Sequence, residues 1–278
     1  MTQSQKATRL LELHHAANPV VLINAWDAAS ARIVEQAGFP AIATTSAGVA
    51  NALGYADGQH VPWAEMARSI QRIAQMVKVP VTADIESGFS GDLQHLEWTI
   101  EQVIETGAVG VNLEDSVPGH AGHSVLFSVP DQMERIKTVR RVSERVRVHL
   151  VINARTDAYW QTGAAPAQAM RNTVERGHAY LKAGADCIFV PGLRDPGQIR
   201  TLVAEWKSPI NILAGPGVPS IPELTKLGVK RISYGSGPMR SAMGLLRRMC
   251  EEANATGTYK AMTEGAIPHA EINELMGK

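Results

Sequence analysis

Residues 80–91, PVTADIESGFSG, read as a strand ending in two carboxylates, Asp84 and Glu86, followed by a turn that carries Gly88 and Gly91. Alternate residues of a strand point to the same side. A strand over 80–86 therefore sends Asp84 and Glu86 off one face at its C-terminal end. In a parallel α/β protein that end is where ligands bind. Two like charges there repel each other unless a cation or a basic group sits between them. A second acidic pair, Glu114 and Asp115, ends the next apolar run, VGVNLED. An oxygen-rich site for a hard divalent cation is the first reading. The plainer alternative is that these acids cap the helices that follow, but their recurrence at successive strand ends favours a site.

Working outward, one pattern recurs: an amphipathic helix ends in a residue followed by glycine, and an apolar strand begins within a few residues. The copies are EQAGFPAIATTS, ETGAVGVNLED, KAGADCIFVPG and TKLGVKRISYG. Gly38, Gly107, Gly184 and Gly228 each suit the left-handed position that closes a helix. The strands are nearly all apolar, as parallel strands covered on both faces must be. Strands are expected at 20–25, 41–46, 80–86, 109–114, 149–156, 187–192, 210–215 and 231–236. Helices are expected at 4–17, 28–36 (N-capped by Asp27), 63–77, 95–105, 131–145, 165–182, 199–205, 221–226 and 241–255. The segment 47–59 reads as a loop, and 116–129 as a longer one. Such an alternation predicts an α/β (β/α)8 barrel in preference to an open sheet. The first strand is followed by NAWDAAS, which lacks the glycine pattern of a dinucleotide-binding fold. No linker divides the chain, so residues 1–278 are expected to form one domain, with an N-terminal helix within 1–18 and a partly helical tail at 256–278.

The chain has 278 residues, 27 basic and 27 acidic, for a formal net charge of zero. That length suits one barrel of roughly 250 residues. With no Lys/Arg run, nucleic acid and anionic membranes are not expected partners. The polar start, MTQSQKATRL, lacks the apolar core of a signal peptide, and no apolar run is long enough to span a bilayer. The two cysteines, Cys187 and Cys250, are not in CxxC spacing and read as buried thiols of a reducing compartment. A cytoplasmic protein is expected.

In a barrel the strand ends converge on one mouth. Here they bring Asn24, Trp26 and Asp27; Thr44, Thr45 and Ser46; Asp84 and Glu86; Glu114 and Asp115; Arg155 and Asp157; and the glycines of GPG (215–217) and GSG (235–237). No lysine stands among them, which disfavours a Schiff-base aldolase. No histidine does either, which disfavours a His-ligated zinc hydrolase. Carboxylates with one arginine suit a magnesium-type site and an anionic substrate, with Arg155 clamping a carboxylate or phosphate. The loop 116–129, SVPGHAGHSVLFSV, carries His120 and His123 between glycines and reads as a functional lid. The GPG and GSG ends could cradle a phosphate or simply make tight turns.

The segments NAWDAASARIVEQAGF, TTSAGVANALGYAD, PVTADIESGFSGD, GVNLEDS, INARTDA and NILAGPGVPSIPELTKLGVKRISYGS, in this order, resemble the phosphoenolpyruvate mutase/isocitrate lyase superfamily over nearly the whole chain. The resemblance implies a barrel with Mg2+, or alternatively Mn2+, held mainly by Asp84 and reached by Glu86 and Glu114 largely through water. It implies that a substrate carboxylate or phosphonate rests on the amides of Ser46, Ala47 and Gly48 and on Arg155, with Trp26 and Asp57 also in the matched substrate-binding segments. This placement is preferred to the GPG/GSG cradle. The resemblance further implies cleavage or rearrangement next to a pyruvate-like enolate, and a homotetramer or dimer whose last helix swaps between subunits. The lid departs from the pattern: Ala121 stands where isocitrate and methylisocitrate lyases carry a cysteine, and PGHAGH has no Lys or Arg beside it. His120, His123 or a bound water is then the candidate to handle the proton. A Mg2+-dependent lyase or decarboxylase of a small 2-oxo or 2-hydroxy carboxylate is the expected function. The alternatives are a phosphonate mutase or hydrolase and a barrel that binds a carboxylate without turnover.

Overall fold

A computed structural model describes residues 1–120, 125–161 and 165–277. Among them, nine short parallel strands form one sheet: β1 (Val20–Leu22), β2 (Asn24–Ala25), β3 (Ile42–Thr44), β4 (Val81–Asp84), β5 (Gly110–Glu114), β6 (Val151–Arg155), β7 (Cys187–Phe189), β8 (Ile210–Leu213) and β9 (Arg231–Ser233). The helices are α1 (Gln3–His15), α2 (Ala28–Gln36), α3 (Ser46–Ala52), α4 (Trp63–Met76), α5 (Leu93–Glu105), α6 (Val129–Arg145), α7 (Pro166–Lys182), α8 (Pro196–Trp206), α9 (Ile221–Lys226), α10 (Gly237–Thr256), α11 (Lys260–Thr263) and α12 (His269–Met276). β1 and β2 are two halves of one extended stretch that changes neighbour at Ile23. β1 pairs with β9 and β2 with β3, so this stretch closes the barrel. The expected (β/α)8 barrel is the observed fold.

Gly38, Gly107, Gly184 and Gly228 all have positive φ, as the repeated helix endings required. Asp27 caps α2 by accepting from the Ser30 amide. Ala83, Val111, Leu113, Ile152, Ile188 and Ile212 join the apolar layer between strands and helices. α1 is held by a Thr2/Gln5 capping box and inserts Ala7, Leu10 and Leu13 against Val20, Leu22, Val109 and Val151, plugging the N-terminal end of the barrel.

Several elements differ from expectation, each for a local reason. Thr45 N-caps α3 within the stretch read as a loop. α6 begins at Val129, capped by Ser128, and α8 at Pro196, capped by Asp195. In both a proline near the start fits because a first-turn residue has no helical partner for its N–H. β4 stops at Asp84, so Glu86 lies beyond the strand. Cys187 is buried as expected, whereas Cys250 is exposed on α10.

Beneath the mouth the barrel interior is polar, contrary to the layers of branched apolar residues usual in this architecture. Arg231 is fully buried; its Nη2 donates to Asn112 Oδ1 at 3.0 Å, which also accepts from Asn153 Nδ2 at 2.7 Å. His14 lies 2.8 Å through Nδ1 from the Leu10 carbonyl and 3.4 Å through Nε2 from Arg231 Nη1. That pattern requires a neutral ring protonated on Nδ1. Burial, then Arg231, pushes the His14 pKa down to about 4. Because the unfolded chain takes up the proton first, this stability is present above pH 6.5 and is lost as pH falls toward 4. Acidifying from pH 7 to pH 5 should cost about 2 kcal/mol through this residue. Urea unfolding at both pH values checks it: His14→Leu should show a smaller acid loss than the parent, and equal losses would contradict the assignment.

Candidate active site at the barrel mouth

Asp84 ends β4, and its Oδ2 accepts from the amide and the hydroxyl of Ser46 at 3.0 and 2.8 Å. Its own amide donates to Thr44 Oγ1 at 2.9 Å, which registers β4 against β3. Its other oxygen, Oδ1, is buried without a hydrogen-bond partner. Glu86 reaches the mouth by a left-handed backbone, φ 50°, rather than by strand alternation. A non-glycine residue there is strained unless its surroundings hold it. The turn that follows is held by Arg135, which donates to the Ser87 and Ser90 carbonyls. It is also held by Gly88, where a Cβ would fall 2.5 Å from Leu96.

Glu114 ends β5 and pairs with Arg155 Nη1 at 2.8 Å. Arg155 ends β6, and Asp157 takes its other side, Nε to Oδ1 at 2.7 Å and Nη2 to Oδ2 at 3.0 Å. Three of the five guanidinium N–H groups are thereby used, leaving one on each terminal nitrogen. The guanidinium also stands 5.2 Å from the Trp160 ring centroid. Burial works against the Arg155 charge, and Asp157 and Glu114 overcome it, so the group stays protonated.

The acids have the opposite problem. Burial first, then Asp57 and Asp84, pushes the Glu86 pKa up to about 8 against Arg155 and a backbone N–H from Gln59. Burial also raises Glu114 well above the usual carboxylate range; Arg155 opposes this, while Asp157, Glu86 and Asp84 add to it. Asp84, Glu86, Glu114 and Asp157 thus share one guanidinium, and a divalent cation is the natural remedy for such an excess. The buried, unpartnered Asp84 Oδ1 supplies the donor atom, so the residues present fit a metal. Among the described residues no three His, Cys, Asp or Glu side chains are gathered closely enough to hold an ion unaided. One direct ligand with water completing the shell agrees with that spacing.

The remaining sequence candidates divide. Ser46, Ala47 and Gly48 open α3 beside Asp84; the Ser46 amide is committed to Asp84, and the Gly48 amide to Thr45 Oγ1 at 3.3 Å. Trp26 packs against Gly48, with its Cβ 3.1 Å from where a Gly48 Cβ would stand. Asp57 is exposed and acts on Glu86 through its charge. His120 is exposed, with Nδ1 3.2 Å from the Pro118 carbonyl. His123 lies outside the described residues. Asn24, noted at a strand end but given no role, staples the closure seam. It donates to the Thr44 carbonyl at 2.7 Å and accepts from the Tyr234 and Gly235 amides at 2.8 and 2.9 Å. Trp160, whose ring faces the Arg155 guanidinium, also lines a cavity of about 740 Å3 walled by Leu213, Tyr234 and Pro238 with Arg194 and Arg240 on its lining; none of the acids lines it.

Residues 10–254 match the model of the family described as phosphoenolpyruvate phosphomutase. The chain belongs to the phosphoenolpyruvate mutase family. It is 27% identical to 2-methylisocitrate lyase of Shewanella oneidensis over 100% of this chain and 94% of that one. With 2,3-dimethylmalate lyase of Eubacterium barkeri it shares 28% identity over 98% and 94% of the two chains. A Burkholderia cenocepacia crystal structure, provisionally described as a phosphonomutase, is similar at TM-score 0.85 and 38% identity over 90% of this chain and 99% of that one. These findings support the phosphoenolpyruvate mutase/isocitrate lyase superfamily, and an enzyme of lyase or phosphonomutase-like kind.

Gly48 tests the α3 side of the mouth. A methyl group there would stand 2.5 Å from Thr45 Cγ2 as well as against Trp26. Gly48→Ala should therefore lower stability by about 1–3 kcal/mol, although alanine favours helix by about 1 kcal/mol. Urea midpoints decide it, and a stabilised variant would mean that α3 is free to back away.

Proposed function

We propose that this protein is a Mg2+-dependent lyase that cleaves a C–C bond, or decarboxylates, next to a pyruvate-like enolate in a small 2-oxo or 2-hydroxy carboxylate. The observation that carries this reading is Asp84 Oδ1, a buried acceptor without a partner at the centre of an acidic mouth. Asp84 would hold the ion directly, and Glu86 and Glu114 would reach it through water; Mn2+ is the alternative ion. When bound, the metal supplies Lewis-acid stabilisation of the charge that develops on an enolate oxygen. The remaining N–H groups of Arg155 and the Ala47 amide bind and orient the substrate carboxylate; Ser46 and Gly48, whose amides are held by Asp84 and Thr45, line the place beside it, with Trp26 and Asp57 bounding it. His120 and His123 are the candidates to return a proton to the enolate carbon.

The neighbouring cavity supports a substrate larger than pyruvate, because its apolar walls have room for an alkyl branch and Arg194 and Arg240 suit a second carboxylate. The second reading, a phosphonate mutase or hydrolase acting on a phosphonopyruvate-like substrate, draws on the similarity to the phosphonomutase-described structure.

A cytoplasmic homodimer or homotetramer completes the proposal, formed as one domain without nucleic acid or membrane partners. Among the described residues no helix is long and apolar enough to cross a membrane. Met239 is the buried residue of α10, while Met243, Leu246, Tyr259 and Met262 on α10 and after it are exposed. Such an apolar face supports exchange of the C-terminal helices between subunits.

The deciding experiment is a steady-state screen with Mg2+ against oxaloacetate, alkylmalates, methylisocitrate and phosphonopyruvate, following pyruvate, glyoxylate and phosphate. Turnover of an alkylmalate or oxaloacetate is expected, and Asp84→Ala should abolish both it and the Mn2+-induced rise in Tm. Release of phosphate together with pyruvate from phosphonopyruvate, or its conversion to phosphoenolpyruvate, with the carboxylates untouched, would favour the second reading. Arg155→Lys should raise KM at least tenfold, because an ammonium cannot reproduce the fork; unchanged kinetics would remove the clamp.

A further inference from the structure

Asp157 sets the fork of Arg155, and Asp157 is itself set by a layer outside the mouth. Its amide donates to Asp115 Oδ1 at 2.9 Å. Asp115 Oδ2 accepts from the Tyr180 hydroxyl at 2.6 Å and from Arg176 Nη1 at 3.0 Å. Arg176 and Tyr180 stand four residues apart on α7, one turn along the same face. The same Arg176 nitrogen reaches the Tyr180 oxygen at 2.8 Å and the Phe127 carbonyl at 3.0 Å. The Phe127 amide in turn donates to the Asp115 carbonyl at 2.8 Å. Asp115, Asp157 and Tyr180 are fully buried. Arg176 thus joins α7, the chain leading into α6 and the Asp115 carboxylate at a single nitrogen.

We infer that Arg176 is a positioning residue for the carboxylate clamp, acting through Asp115 and the main chain of Asp157 on the fork of Arg155. The inference rests on the reading of Arg155 as the clamp. A buried carboxylate that loses its cationic partner must find another donor or move. Asp115 has the Asp157 amide on one oxygen and the Tyr180 hydroxyl on the other. Displacing it therefore releases the backbone that aims Asp157, and the bidentate grip on Arg155 loosens. Because the Arg176 contacts leave one nitrogen, a lysine ammonium, with three N–H donors, can replace part of them. At Arg155, where the contacts spread over the whole fork, it cannot.

The test uses the full-length protein with Mn2+ and oxalate, a planar dianion that mimics the oxygens of a pyruvate enolate. Calorimetry should show oxalate binding at least tenfold weaker in Arg176→Met than in the parent. Mn2+ affinity should stay within about twofold, and Arg176→Lys should recover most of the loss. Amide hydrogen exchange should quicken at Asp157 and Phe127 in Arg176→Met while the amides of β4, next to Asp84, stay unchanged. If α7 loosens while oxalate affinity and Asp157 exchange match the parent, Arg176 only pins its helix and the inference fails. If the parent itself binds no oxalate, the proposed clamp fails; Asp157 exchange then decides the coupling alone, and unchanged exchange in Arg176→Met overturns it.

Discussion

Between the end of β5 and Asp157, two residues past β6, the largely buried guanidinium of Arg155 bridges Glu114 and Asp157. Its neighbours depend on it because an isolated buried carboxylate is expensive. Without this cation, Glu114 and Asp157 would face Asp84 and Glu86 across the mouth as one block of negative charge. With it, the arrangement remains one cation short, and that shortage points to a metal more strongly than any single distance does. The strained backbone at Glu86 belongs to the same balance: a left-handed residue is kept where its carboxylate contributes to the site, and Arg135 and Gly88 lock the turn around it.

The barrel supports this charge cluster from two sides. On the outer face, branched apolar side chains seal strands to helices and fix each strand end in register. On the inner face, polar residues replace the usual packing directly below the acids, with Arg231, Asn112 and Asn153 joined by hydrogen bonds. Asn112 is the register partner of Asp84 across the β4–β5 pair. The interior amide layer and the Asp84 carboxylate therefore share one stretch of ladder, and a shift in either moves the other. His14 completes the layer from α1, which is why a helix at the far end of the barrel bears on stability at acid pH.

The barrel was legible in the sequence because its signals are local and repeated. A glycine that closes a helix and an apolar run after it recur four times, and each reads correctly without knowledge of the others. Asp84, Glu114 and Arg155 were legible for the same reason, since they stand at the ends of runs whose period is plain. Glu86 was found by an incorrect route: two-residue alternation placed it at the mouth, but β4 ends at Asp84 and a left-handed turn carries the side chain there. α3 was missed because one Thr45 cap creates it in a stretch rich in turn residues. Cys250 looked buried because α10 has apolar residues, yet that helix packs little of its length against the barrel.

Arg176 and Tyr180 show where reading a single chain runs out. On α7 they are a charged and an aromatic residue one turn apart, a spacing common on solvent-facing helices. Nothing local separates that pattern from a surface pair, because the acid they serve, Asp115, is more than sixty residues earlier in the chain. The contact exists because α7 lies beside the ends of β5 and β6. Strand ends announce themselves in sequence, since each must change from apolar to polar at a fixed place. The groups that aim those strand ends sit on helices whose polar residues all look alike, and only the closed barrel distinguishes the one that turns inward.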